Sequence, residues 1–324
     1  MLIVRSPLRI SLGGGGTDIP VYFKKKGSFF ISAAINKYVY ISINKIPENH
    51  YFIRYSINEK KNNIHEIEHK LIRETLKFYN LKPGVEITSF ADLPSGTGLG
   101  SSGSFLTCLI LALDLYTGQS RSKLEIAKLA SHIEIDILKE PVGYQDTLIS
   151  AIGGITSFEI SQKGDINYNS NFLDKEFKKT LFNSLFLIDT NKRRSASTEI
   201  KKTIHSKIME LDTLKNLDKV KKAGYESKSI LESKDLKNFG NMLTEQWKLK
   251  LSRSNSKFHN EVNLQISKFN EEFSLGSKLI GAGGGGYIMA AIPKSNISKA
   301  EKYLNLINKK LIPIKLDLKG TKEY

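Results

Sequence analysis

Two acids and three glycine-rich stretches mark where this chain could do chemistry. Glu134 stands among Ile133, Ile135 and Ile137, and Asp146 follows in Val142-Gly143-Tyr144-Gln145-Asp146-Thr147-Leu148. A carboxylate among apolar neighbours is either paired or functional, although each alone also reads as an ordinary helix-surface acid. The glycine stretches are 13–16, 96–103 and 281–286. Glycine belongs where a backbone turns sharply or must approach a ligand closely. The middle stretch, Pro94-Ser95-Gly96-Thr97-Gly98-Leu99-Gly100-Ser101-Ser102-Gly103, runs directly into a helix start at Ser101 and Ser102. Free backbone N–H groups and the positive end of the helix dipole would cradle an anion there. The serine hydroxyls would reach a phosphate or a metal ion. A plain β–α turn needs one or two glycines rather than four. Beside such a cradle the two acids become a Mg²⁺ ligand and a candidate base.

Several familiar motifs fail on context. Gly98–Gly103 and Gly281–Gly286 both fit GxGxxG. A dinucleotide fold needs a strand before the glycines, a helix after them, and then a second strand ending in an acid. Here a second helix follows the first, and the last cluster leads into a strand. No GxxxxGK[ST], HRD or DFG occurs, which excludes P-loop and protein-kinase architectures. His65-Glu66-Ile67-Glu68-His69 matches HExxH, but no third ligand extends it, and a solvated helix face accounts for it.

The elements that must hold these residues come in blocks. Extended segments are predicted over 2–12, 29–44, 51–57 and 85–91, with helical periodicity over 64–79. A helix is predicted from 101 to about 116. The capping-box signature Ser122-Lys123-Leu124-Glu125 starts another, running to about 138. A third spans 145–151, and a strand spans 155–160. The second half reads as a strand over 185–189, helices over most of 196–273, strands over 277–281 and 287–292, a helix over 297–309 and a strand over 311–318. Blocks without regular βαβ repeats predict an α+β chain. The polar stretch 161–171 suggests a boundary, giving domains 1–165 and 166–324.

Composition sets the outer limits. The 324 residues are 40% hydrophobic and 25% charged, which excludes a disordered or collagen-like chain. No apolar run approaches the ~18–20 residues of a membrane span. The N-terminal residues lack signal-peptide character. Cys108 is the sole cysteine, in an apolar run, which predicts a buried thiol in a reducing cytoplasm. Lys and Arg (49) exceed Asp and Glu (33), mostly in the second half, for a net charge of +16. The lysines are mixed with acids along helical patterns and accompany no zinc-finger or RRM signature. Small-molecule anions are therefore the expected partners, with no nucleic acid and no membrane. A homo-oligomer remains compatible with the composition.

Together these pieces resemble the GHMP small-molecule kinases. The first motif resembles Ser6-Pro7-Leu8-Arg9-Ile10-Ser11-Leu12-Gly13-Gly14-Gly15-Gly16-Thr17-Asp18. The second resembles Leu93 through Ser102, and the third Lys278-Leu279-Ile280-Gly281-Ala282-Gly283-Gly284-Gly285-Gly286. Order and spacing agree over essentially the whole chain. The Gly-Gly-Gly-Thr-Asp ending, the Gln145-Asp146 pair and Thr190-Asn191-Lys192-Arg193-Arg194 look most like the heptose 7-phosphate kinase branch. Gly103 departs from the usual Ala or other small residue, a change expected to be tolerated. Thr147 departs from the more usual Gln, which leaves that position's role open.

The resemblance implies a two-domain fold, ribosomal protein S5 domain 2-like and then ferredoxin-like, with ATP and Mg²⁺ as cofactors. It implies an ATP loop at Pro94, Ser95, Gly96, Thr97, Gly98, Leu99, Gly100, Ser101 and Ser102, and metal ligation by Ser102 and Glu134. Asp146 would be the base and Arg9 its ionising neighbour. Gly15, Gly16, Thr17, Asp18, Gln145, Arg193, Arg194, Gly283 and Gly284 would line the substrate. The activity implied is transfer to O1 of a heptose 7-phosphate. Galactokinase- or fucokinase-like activity, or a silent sugar sensor on the same fold, are the alternatives. Retention of Glu134 and Asp146 favours an enzyme.

Overall fold

The structure is a computed structural model that describes residues 1–192, 211–252, 257–281 and 284–324. The first sheet has eight strands. Its main path runs β12-β1-β2-β5-β3-β4, formed by β1 (Leu2–Gly13), β2 (Ser28–Lys45), β3 (Tyr51–Arg54), β4 (Asn58–Lys61), β5 (Val85–Ala91) and β12 (Lys322–Glu323). The 18-residue β2 is the spine. Its start pairs with β6 (Ile155–Ile160), its end pairs with β5, and β1 follows its other edge. A bulge near Pro7/Leu8 shifts the β1–β2 register, as expected where proline removes a ladder donor.

Helices cover this sheet because their small residues allow close approach. The Pro7 carbonyl accepts from Ser104 Oγ at 2.8 Å and Ser150 Oγ at 2.9 Å. These serines belong to α3 (Ser101–Thr117) and α5 (Gln145–Ile152). Between them lies α4 (Lys123–Ser131), whose capping box is formed in both directions. A π-helical turn, His132–Ile137, continues α4 and carries Glu134. Wide turns of this kind recur at functional sites.

The second sheet has the order β11-β8-β10-β9, all antiparallel: β8 (Leu185–Asp189), β9 (Gly276–Leu279), β10 (Tyr287–Ala291) and β11 (Leu311–Pro313). Numbered within the unit this is 4-1-3-2, the ferredoxin-like arrangement that the resemblance implies. Alternation splits its two faces. Leu187 and Met289 join the core shared with β1. Ile188 and Ile288 join a second core with Trp247, Phe258 and Phe269.

Other elements depart from the sequence reading. The expected helix over 64–79 is a 3-10 turn, Ile64–Glu66, followed by α2 (Lys70–Phe78). His69 does not lie on a solvated face: its ring caps α2 and stacks on Phe105. The final strand stops at Pro313. Helices α1 (Pro20–Lys26) and α6 (Lys175–Ser184) and strands β4, β7 (Ile166–Asn169) and β12 had no reading of their own. Strand β7 pairs with β6, and β12 pairs with β1. The sheet thus includes residues on both sides of the expected 165/166 division, because a hairpin and a returning tail complete its hydrogen bonding.

Candidate active site

The site forms where β1, the loop before α3 and the start of α5 meet. Gly96, Gly98 and Gly100 have φ of 72°, 74° and 78°, the left-handed region that glycine enters without strain. Gly100 caps α3 without a side-chain bond, leaving the first-turn N–H groups open. Thr97 Oγ1 is buried in this loop with no partner among the described residues. The third glycine stretch packs on the second. A Cβ on Gly98 would meet the Ile280 carbonyl at 2.8 Å, so only glycine permits this approach.

Arg9 ties the loop to the acid. Its Nε and Nη2 both lie 2.7 Å from Asp146 Oδ1, and its Nη1 donates to the Gly98 carbonyl at 2.5 Å. The Arg9 side chain is buried, whereas that of Asp146 is 27% exposed. A buried guanidinium bonded in this way fixes the carboxylate's orientation.

Two further acids lie close. Burial, with smaller contributions from Asp146 and Glu140, pushes Glu134 up to about 7, against a lowering hydrogen bond from Ser102. Asp18 is raised chiefly by burial and also by Asp146. Its Oδ1 accepts from Gly16 N at 3.0 Å and its Oδ2 from Gln145 N at 2.8 Å. A cluster of buried oxygens with one partly open carboxylate, facing an anion cradle, suits transfer of a phosphoryl group to a hydroxyl.

Residues 64–154 match the family described as "GHMP kinases N terminal domain". This stretch is a GHMP kinase N-terminal domain. It is 25% identical over 311 residues to a D-glycero-alpha-D-manno-heptose 7-phosphate kinase of Campylobacter jejuni subsp. jejuni serotype O:2, covering 91% of each. It is also 25% identical over 336 residues to a galactokinase of Thermotoga petrophila, covering 93% of this chain and 92% of that one. Among solved structures, a D-glycero-D-manno-heptose 1-phosphate kinase from Bacteriodes thetaiotaomicron superposes with a TM-score of 0.81 at 21% identity. That match covers 100% of this chain and 99% of the other.

The residues expected to line the substrate separate into groups. Gly15, Gly16 and Asp18 lie in the loop after β1, beside Gln145. Thr17 is fully buried, and its Oγ1 bonds to the Gly14 and Phe29 carbonyls and to Ser28, so it holds the loop that carries Asp18. The Gln145 side chain is likewise engaged, donating to Ser11 and Ser32 at 3.0 and 2.6 Å. Gly284 is buried beside β10. Gly283, Arg193 and Arg194 lie outside the described residues. Thr190 and Lys192, just before the two arginines, are tied to Gly286: Thr190 Oγ1 donates to its carbonyl at 2.7 Å, and its N–H donates to the Lys192 carbonyl at 2.7 Å.

The sequence reading quoted Lys278 only as the start of a string and gave Gln246 no role. Lys278 Nζ donates to Gln246 Oε1 at 2.5 Å, and Gln246 Nε2 donates to the Leu12 carbonyl at 3.1 Å. Burial, with Arg9 nearby, pulls Lys278 down to about 7. A lysine at the head of a glycine-rich turn was the available signal, and its burial was not visible in the pattern.

Proposed function

We propose that this GHMP kinase transfers a phosphoryl group from ATP to O1 of D-glycero-D-manno-heptose 7-phosphate, giving the 1,7-bisphosphate used for surface-polysaccharide synthesis. The observation that carries the reading is Asp146, held by Arg9 at 2.7 Å beside the glycine loop and partly open. Asp146 accepts or orients the proton of the attacking hydroxyl. Arg9 orients it and, through the Gly98 carbonyl, fixes it relative to the donor loop. The loop's N–H groups and the buried Thr97 hydroxyl receive the ATP phosphates. Asp18 orients sugar hydroxyls.

Mg²⁺ fits the donors present. The Ser102 hydroxyl and the Glu134 carboxylate are hard oxygen ligands, and a buried acid pushed up to about 7 is stabilised by an incoming cation. Among the described residues no group of three or more His, Cys, Asp or Glu side chains could hold a metal. Magnesium characteristically completes its shell with phosphates and water. When bound, it would neutralise charge on the transferring phosphates.

The name of the Campylobacter relative supports a heptose phosphate as acceptor. Arg194, and after it Arg193, are proposed to contact the 7-phosphate. The test is ADP release against a panel of heptoses, heptose phosphates, galactose and fucose. The heptose 7-phosphate should give the highest kcat/KM, and Arg194→Ala should lower it roughly ten- to a hundredfold only for phosphorylated sugars. ATP binding without turnover of any sugar would favour the sensor.

A further inference from the structure

Two cations sit together at the seam between the sheets, and only one has an acid. Arg9 is paired with Asp146. Lys278, on β9, is 7% exposed, and its Nζ bonds to a neutral amide oxygen on Gln246. No carboxylate among the described residues reaches it. Its charged neighbour is Arg9, which repels it. Burying an ammonium without a counter-ion is unfavourable, because the lost hydration is not replaced by an opposite charge. Such an arrangement is stabilised when an anion enters.

The position narrows which anion. Strand β9 runs into Ile280 and Gly281, which pack on Gly98 of the donor loop. Arg9 bridges that same glycine to Asp146. Lys278 therefore lies beside the meeting point of donor loop and base, where the phosphoryl group passes between them. We infer that Lys278 is an anion-binding residue for the phosphoryl group in transfer, held in place by Gln246. This rests on the kinase reading above, but its binding component can be tested without turnover.

The probe is sulfate, a tetrahedral dianion that does not titrate near neutrality. Calorimetric affinity for sulfate and for ADP is measured in metal-free buffer for wild type, Lys278→Met and Lys278→Arg, alongside melting temperature. The expected result is at least tenfold weaker sulfate binding in Lys278→Met, restoration in Lys278→Arg, and unchanged ADP affinity. In turnover, Lys278→Met should lower kcat by a factor on the order of 10², equally for phosphorylated and unphosphorylated acceptors, the size of effect seen when a transition-state charge partner is removed. Unchanged sulfate affinity in Lys278→Met overturns the inference. So does a loss confined to the phosphorylated acceptor, which would assign Lys278 to the acceptor's own phosphate. A parallel fall in ADP affinity and melting temperature in both variants would reduce Lys278 to a structural tie. If wild type phosphorylates no sugar while sulfate binding still depends on Lys278, the anion site stands and the kinase reading fails.

Discussion

Asp146 and Glu134 are both carboxylates, and their surroundings divide the work. Asp146 is partly open and clamped by a guanidinium. Asp146→Asn retains the bonds from Arg9 poorly and cannot take a proton. It should lower kcat by a factor of about 10²–10⁴ with ATP affinity near wild type, measured by steady-state kinetics and nucleotide titration. Near-normal kcat would show that another group activates the hydroxyl. Glu134 is buried and titrates near 7 rather than 4.5. Between those values the native chain holds more protons than the unfolded chain. The stability linked to Glu134 is thus fully present below about 4.5 and is lost as pH rises through 7. In EDTA, Glu134→Gln should melt above wild type at pH 8, with the gap closing at pH 5. Mg²⁺ should raise the melting temperature of wild type at pH 8 and leave the variant unmoved. A gap independent of pH would mean that the carboxylate is not the cause. Residue identity was legible here because acids among isoleucines are rare. The ties of Thr17 to two carbonyls were not legible, because a loop hydroxyl looks alike in sequence whatever it meets.

Elements fix where these groups can lie, and glycine sets how closely the elements approach. The chain's departure at Gly103 looked neutral in sequence. In the fold, a Cβ at Gly103 would lie 2.7 Å from Asp146 Cβ and 2.8 Å from the Asp146 carbonyl carbon and Thr147 N. Two of those three atoms are backbone, so α3 or α5 would have to move. Gly103→Ala should therefore displace Asp146 from Arg9 and lower kcat at least tenfold, with the KM for ATP little changed, because misplacement by about 1 Å can cost 10². Kinetics of the alanine variant decide it; wild-type kcat would mean the helices yield freely. The glycine pattern located the loops, and the Ser122 signature located a helix start to the residue. Periodicity could not separate α4 from its π-helical turn, because the same apolar spacing serves both. It also missed β4, β7 and β12, which are too short to show alternation.

At the scale of the whole molecule, the chain's end stitches the units together. After Pro313 the chain leaves the second sheet and returns to the first. Asp317 N donates to the Ala34 carbonyl at 3.0 Å, and the Asp317 carbonyl accepts from Gly154 N at 2.7 Å. Thr321 N donates to Ser150 at 2.8 Å, and its Oγ1 meets Ser6 Oγ at 2.8 Å. The pair Val4–Glu323 completes β12. Ser6 lies on β1 with Arg9, and Ser150 lies on α5 with Asp146, so the tail ties together the two elements that carry the pair. Nothing in the tail's composition announces this, since two-residue strands gain their order only from the partner they meet. Trp247, the sole tryptophan, is buried in the helix Leu236–Leu251 against the second sheet and reports on that unit alone. In the 324-residue chain, urea unfolding followed by Trp247 fluorescence and by far-ultraviolet circular dichroism should give coincident midpoints. Removing residues 316–324 takes these bonds from the first sheet and leaves the environment of Trp247 intact. The circular dichroism midpoint should then fall below the fluorescence midpoint, and kcat should fall with it. If both midpoints shift together by the same amount, the two sheets unfold as one unit without the tail, and the stitching lies instead in the helix Leu211–Glu232, where Ser227 and Gly224 press on Gly13 and Gly14.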